Sequence, residues 1–236
     1  MQSRSISVII PVYNEEGHIG NTIACIKGMA GTDAIAEILV VDGGSRDNTI
    51  NEAIAAGATV VKSPGKGRAA QMNYGASLAS SPVLYFLHAD TVPPGGFAGD
   101  ISTAVEKGFE AGCYMLSFDY DHWFLKTNCW FTRFDVAAFR YGDQSLFVTK
   151  ETFEKSGGFC EKHIIMEDFD LIRRLRKQGR FAIIKKPVRT SARKYVQNGV
   201  FKTQGIFYLI FFMYQLGFPQ QQLLSTYRKL IRQDKI

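Results

Sequence analysis

The sequence predicts an α/β domain with a mainly parallel central sheet flanked by helices. Over roughly the first 90 residues, short apolar runs alternate with stretches of helical periodicity, the pattern of strands joined by crossover helices. Three of those runs stop at loops that carry acids or amides, namely Asn14-Glu15, Asp42 and His88-Ala89-Asp90. In a parallel sheet all three loops share the carboxyl edge, where open α/β sheets bind ligands. The 236 residues are 46% hydrophobic and 21% charged, ordinary for a folded domain with a sizeable core.

Taken in order, residues 7–12 form a buried strand and residues 13–17 a loop. Ile19, Ile23 and Ile26 mark one face of a helix over 19–29. A second strand over 37–41 ends at Asp42-Gly43-Gly44-Ser45. Asp47 or Asn48 caps the next helix, which reaches about Ala56 and is stopped by Gly57. Residues 58–62 are a strand and residues 69–79 a helix, with Met72, Ala76 and Leu78 as its apolar residues. Residues 83–87 are a strand between Ser80-Ser81-Pro82 and a Pro- and Gly-rich loop. If its extended geometry runs on to Asp90, then His88 and Asp90 point the same way. Helices are expected over 97–107, 152–156 and 167–178. Strands are expected over 111–118 and 145–148, with a last one over 181–184. Six aromatics crowd residues 119–134: Tyr120, Trp123, Phe124, Trp130, Phe131 and Phe134.

Residues 206–214 are apolar on every side, yet a spanning helix needs about 18 apolar residues. After Pro219, Leu223, Leu224, Tyr227, Leu230 and Ile231 form one helical stripe with Arg228, Lys229 and Arg232 off it. Such a helix either lies on an anionic membrane as a peripheral contact or packs on the domain or a second copy to form a homodimer. Packing or dimerisation is the favoured reading.

The net charge of +6 conceals a division. From Leu171 onward there are 15 Lys and Arg against one acid, Asp234, whereas the preceding residues hold 13 against 21. The C-terminal part therefore suits an anionic partner such as a diphosphate or a headgroup surface. No nucleic-acid motif accompanies the charge, so no nucleic acid is expected. Cys25, Cys113, Cys129 and Cys160 are scattered and suggest neither a zinc site nor a redox pair. No signal peptide precedes the first strand. A cytoplasmic location follows, extending to the inner face of the membrane if the C-terminal helices dock there.

Several groups carry chemistry. Asp90 with His88 offers oxygen and imidazole to a divalent cation. Oxygen suits Mg2+ or Mn2+, and the imidazole tilts the choice toward Mn2+. Gly65-Lys66-Gly67-Arg68 lets backbone and two cations approach a phosphate or ribose, although no Ser or Thr follows a Gly-Lys pair as in a Walker A loop. Glu167-Asp168 opens a helix, where acids are favoured by the dipole, and a carboxylate there can serve as a general base. Gly142-Asp143-Gln144 and the aromatic stretch are candidates for an acceptor side.

In this order and spacing, Pro11-Val12-Tyr13-Asn14-Glu15, Val41-Asp42-Gly43-Gly44-Ser45, Lys66-Gly67-Arg68, His88-Ala89-Asp90 and Glu167-Asp168 resemble the motifs of inverting family-2 glycosyltransferases over roughly residues 5–195. The His-Ala-Asp-Thr variant resembles a small bacterial subgroup. The resemblance implies a nucleotide-diphospho-sugar transferase fold of GT-A type, Rossmann-like, and metal-dependent transfer from a UDP-sugar to a hydroxyl acceptor, with lipid-linked acceptors among the candidates. It implies that Asp42 binds the base, Pro11, Tyr13 and Glu15 frame the nucleotide and Arg68 lies along the base or ribose; Lys66 beside it can reach a phosphate, and Arg193 or Lys194 can neutralise the diphosphate. Asp90 and His88 would hold the metal, and Asp168, beside Glu167, would be the base. It divides the chain into a catalytic domain over residues 1–200, with a donor half of about 1–95 and an acceptor half of about 96–200, and a helical extension over 201–236. His88 stands where the family has an acid, and the processive Gln-x-x-Arg-Trp signature is absent, which favours a single transfer. The other readings are a nucleotidyltransferase and a non-catalytic membrane-surface or sugar-binding protein.

Overall fold

A computed structural model of the chain describes residues 5–31, 34–136 and 142–232. The outer ends of the two expected divisions, residues 1–4 and 233–236, lie outside the described residues, as does Asp234. Strands and helices alternate through the first part: β1 (Ile6–Val12), α1 (Ile19–Met29), β2 (Ile35–Asp42), α2 (Thr49–Ala55), β3 (Thr59–Lys62), α3 (Arg68–Leu78) and β4 (Val83–Phe86). They are followed by β5 (Thr91–Val92), α4 (Phe97–Glu106), β6 (Ala111–Phe118), α5 (Trp123–Phe131) and a 3-10 turn (Gly142–Gln144). The chain then forms β7 (Leu146–Thr149), α6 (Lys150–Lys155), α7 (Glu167–Gln178), β8 (Phe181–Thr190), α8 (Arg193–Asn198), α9 (Val200–Gln215) and α10 (Gln220–Leu230).

The eight strands form one sheet in the order β3-β2-β1-β4-β7-β6-β8-β5. β1, β2, β3 and β4 are parallel, β7 is antiparallel to β4 and β6, and β8 is parallel to β6. All three acidic loops therefore do lie on one carboxyl edge. Strand alternation sorts the core into two layers. Val8, Ile10, Val40 and Tyr85 face Ile19, Ile23 and Ile26 of α1 and Phe97 and Ile101 of α4. Ile9, Leu39, Val41 and Phe86 face Met72 and Ala76 of α3 and Leu171, Ile172 and Leu175 of α7. The buried Tyr85 and Tyr114 hydroxyls donate to Ser145 Oγ and the Phe97 carbonyl, so neither is stranded in the core.

The architecture departs from expectation at several places. β4 ends at Phe86, so His88 and Asp90 sit in a turn rather than on an extended strand, and they do not share a face by alternation. β8 runs on to Thr190, beyond the expected end at 184, because the register with β6 shifts between Tyr114 and Met115 and lets Pro187 into the ladder. The amphipathic stripe of α10 faces inward: Leu223, Tyr227 and Ile231 are buried against Ile206 and Ile210 of α9 and against Ile165 and Met166. That stripe is not a membrane-facing surface. Among the described residues, no helix is long and apolar enough to cross a membrane.

Candidate active site

Strand register sets the site. Val12 pairs with Asp42 at the ends of β1 and β2, which places their loops side by side. Asn14 takes a left-handed φ of 53°, a conformation that Asn tolerates better than most residues. Its N–H donates to Ser45 Oγ, and its side-chain oxygen accepts from the Arg46 N–H. The Asp42 carboxylate is 1% exposed and accepts the N–H groups of Gly44 and Ser45 at 2.9 Å each. Asp42 thus holds its own loop, where a base-binding group was expected. Gln71 of α3 ties the same two strand ends together, its Nε2 donating to the carbonyls of Val12 and Val41 at 2.8 and 2.7 Å. Sequence reasoning missed Gln71, although a glutamine among the buried positions of a helix was the available signal.

Three side chains, Arg193, His88 and Arg68, then join distant segments across the carboxyl edge through ion pairs. β5 pairs with β8, Thr91 opposite Thr190, and the Ser191 N–H donates to the Asp90 carbonyl. That pairing brings Arg193, at the start of α8, to the first loop. Its two terminal nitrogens donate to both Glu15 oxygens at 3.1 Å, and Nη2 also lies 3.0 Å from Asp90 Oδ2. β7 pairs with β4, Phe86 opposite Leu146, so the 3-10 turn before β7 lies beside the turn after β4. His88 Nδ1 is accordingly 3.4 Å from Asp143 Oδ1. Arg68 donates from Nε to Glu167 Oε1, and its Nη2 is 3.6 Å from Asp168 Oδ2. Arg68, expected along the nucleotide, is placed here on the acids that open α7.

Electrostatics separate the carboxylates. Burial pushes Asp168 up to about 6; Arg68 opposes that shift and the adjacent Glu167 charge adds to it. Burial also disfavours ionised Asp143, but its bond to His88 and the charges of His88, Lys194 and Arg68 outweigh burial and hold it down at about 2. The His88 imidazole is lowered by burial, yet the bond to Asp143 raises it overall. Glu167 is 1% exposed, and its Oε2 is buried with no hydrogen-bond partner among the described residues. Neighbouring carboxylates driven apart in this way commonly mark an acid/base site.

The remaining expected residues are placed as follows. Tyr13 is exposed at the mouth of the first loop, Pro11 is buried within β1, and Lys66 is exposed ahead of α3. Pro11 therefore supports the end of the strand that leads into the first loop. No three His, Cys, Asp or Glu side chains converge as a metal cage among the described residues. Asp90 and His88 are each paired elsewhere, with Arg193 and Asp143, so a cation held by them would draw most of its shell from substrate phosphates and water. The Arg193 guanidinium beside Asp90 and Glu15 shows that this spot already attracts positive charge.

A family model described as "Glycosyl transferase family 2" matches residues 7–161. The chain belongs to glycosyl transferase family 2. The match takes in the loops at Asn14, Asp42, Arg68 and Asp90, and the sheet matches the GT-A transferase fold. A glucosyl-3-phosphoglycerate synthase of Mycolicibacterium smegmatis is 33% identical over 101 residues, covering 39% of this chain and 32% of that protein. The matched region thus spans about a third of that curated relative. Staphylococcus aureus TarS, solved with UDP-GlcNAc, superposes with a TM-score of 0.67 at 14% identity over 80% of this chain and 59% of that one. The Mycobacterium tuberculosis glucosyl-3-phosphoglycerate synthase, solved with Mn2+, UDP and glucosyl-3-phosphoglycerate, gives 0.59 at 18% identity over 78% of this chain and 70% of that one.

Proposed function

We propose that this family-2 chain transfers a sugar from a nucleotide-diphospho-sugar, a UDP-sugar by preference, to an acceptor hydroxyl, once per encounter and with inversion. The observation that carries the reading is Asp168. It is a carboxylate pushed toward the range of a working base, and Arg68 beside it fixes it at the carboxyl edge that also presents Asp90 and Glu15. Asp168 accepts the acceptor hydroxyl proton as that oxygen bonds to the anomeric carbon. The bond from that carbon to the diphosphate oxygen breaks, and the electron pair leaves with the nucleoside diphosphate. A single in-line displacement inverts the centre and needs no protein nucleophile.

Asp90 and His88 would hold Mn2+ or Mg2+, which when bound offsets the charge on the leaving diphosphate. The Mn2+ and UDP in the mycobacterial neighbour support that donor and that metal. Tyr13 and Lys66 offer the nucleotide a ring and a cation at the loop mouth, Asp42 binds the base with Pro11 and Glu15 framing the nucleotide, and Arg193 turns from Glu15 and Asp90 to the diphosphate. In this reading residues of about 1–95 serve the donor, those of about 96–200 the acceptor, and residues 201–236 extend the domain. The absent processive signature supports single transfer.

Thermal shift against a panel of nucleotides and nucleotide sugars, with and without Mn2+, tests the reading, since ligands stabilise the fold by mass action. UDP is expected to stabilise the chain more with the metal, and Asp90→Ala to remove that increment. Asp168→Asn is expected to keep nucleotide binding and abolish donor turnover. No metal-enhanced binding of any nucleotide, or product formed from a nucleoside triphosphate, would overturn it.

A further inference from the structure

The C-terminal hairpin leaves one long face bare. α9 buries Thr203, and packs Ile206 and Ile210 against α10 with Ile165 and Met166. Its opposite face carries Phe201, Tyr208, Leu209, Phe212 and Leu216, at the spacing of one helical stripe. These are 42–76% exposed, with Leu216 the most open. A helix of 16 residues makes that stripe about 24 Å long. It continues onto α5: Phe201 packs against Phe124 and Trp123 at 4.9 and 6.2 Å between ring centroids, and the Tyr208 hydroxyl donates to Asn128 Oδ1. α5 in turn exposes Trp123 at 66% and Trp130 at 47%, one helical face apart by seven residues. Apolar patches of this extent on a folded chain mark an interaction surface.

Charge selects the partner. Beyond Arg193, which Glu15 and Asp90 hold, α8, α9 and α10 carry Lys194, Lys202, Arg228 and Lys229 and no acid. The acids nearest α5 are engaged: Asp121 with Lys126, Asp119 with the Ala192 N–H and Asp135 with Arg176. Two copies meeting through this face would set basic helices against each other with nothing of opposite sign to answer them. We propose that the α5–α9 face docks flat on an anionic lipid bilayer, its aromatic side chains at headgroup depth and its basic residues toward the lipid charge. Tryptophan and tyrosine favour that depth, and basic residues near such a surface each add to the attraction. This is a different surface from the α10 stripe, which is buried.

Docking does not rest on the proposed transfer. One consequence does: α9 packs through Phe211 and Tyr214 on Phe169, next to Asp168, so the docked face flanks the proposed acceptor side and suits an acceptor carried in the lipid. The test uses the full chain with phosphatidylcholine vesicles and with vesicles that also contain phosphatidylglycerol. The only two tryptophans of the protein, Trp123 and Trp130, are both on this face. Their emission is expected to shift to the blue with the anionic vesicles alone, and the protein to float with them. Phe212→Glu/Leu216→Glu, at exposed positions, is expected to weaken flotation by about tenfold or more while leaving UDP binding unchanged. No binding to either vesicle, equal binding to both, or a solution dimer split by the same double substitution without vesicle binding would overturn the proposal.

Discussion

At the scale of single residues, Asp168 sets two opposed expectations. Its carboxyl is raised to about 6 in the folded chain from an ordinary value of 3.8, chiefly by burial. Catalysis needs the ionised form, so donor turnover is expected to rise as pH passes upward through about 6, and a pH profile of kcat/KM checks this. Stability runs the other way. A raised folded value contributes stability that is fully present below 3.8 and lost as pH rises through about 6. Asp168→Asn removes that loss, so it is expected to cut turnover by roughly 10²–10⁴-fold and to stabilise the fold at pH 7 by roughly 1–3 kcal/mol. Denaturant melts at pH 7 and pH 4 read the second effect, which is expected to vanish at the lower pH. Arg193→Ala is expected to do the reverse. It removes the paired guanidinium from Glu15 and Asp90, 11% and 16% exposed as side chains, and costs roughly 1–3 kcal/mol. Arg193→Lys is expected to recover only part of this, because one ammonium cannot match the paired contact. The sequence showed these charged residues but not their partners. Arg68 meets Glu167 across 99 positions and Arg193 meets Glu15 across 178, and nothing local in either motif encodes that pairing.

Among elements, periodic patterns were legible and tertiary compensations were not. α1, β6 and α7 begin and end where their apolar patterns place them. β5 is only two residues long, below any periodic signal. The extent of β8 was hidden because Lys185-Lys186-Pro187 reads as a break, and only a register shift against β6 makes it a strand. Gly75 shows how an element can carry a local cost for a packing reason. Glycine in a helix gives up roughly 1 kcal/mol relative to alanine. Here a Cβ would stand 2.6 Å from Ile9 Cγ2 and 2.9 Å from Val41 Cγ2, and overpacking of a tight core costs roughly 1–3 kcal/mol. The second effect wins. Gly75→Ala is expected to lower Tm by about 2–6 °C in spite of its better helix propensity, with the loss read by calorimetry.

Across the whole molecule, the charge division seen in the sequence becomes a set of seams. Acids of the first strands, Glu15 and Asp90, are held by Arg193 from the basic C-terminal part, so the two halves close on the same edge. The C-terminal hairpin adds a further seam that composition could not reveal. Gln220, at the first turn of α10, accepts the backbone N–H groups of Ile164 and Ile165 at 3.0 and 3.2 Å. Met166 follows in the left-handed region with φ 66° and leads into Glu167 and Asp168. Ile165 and Met166 also pack on the apolar cluster shared by α9 and α10. The hairpin therefore supports the backbone that aims the proposed base. Gln220→Ala removes the acceptor of two backbone N–H groups, one of them exposed, a loss of roughly 0.5–1.5 kcal/mol, and frees the approach to α7. Turnover is expected to fall by about 3–30-fold, the range in which small displacements of a base act, while the Kd for UDP with Mn2+ stays as it was. Steady-state kinetics beside titration calorimetry of UDP separate the two quantities. A drop in Tm with turnover unchanged would instead make the hairpin an independent attachment with no part in holding Asp168.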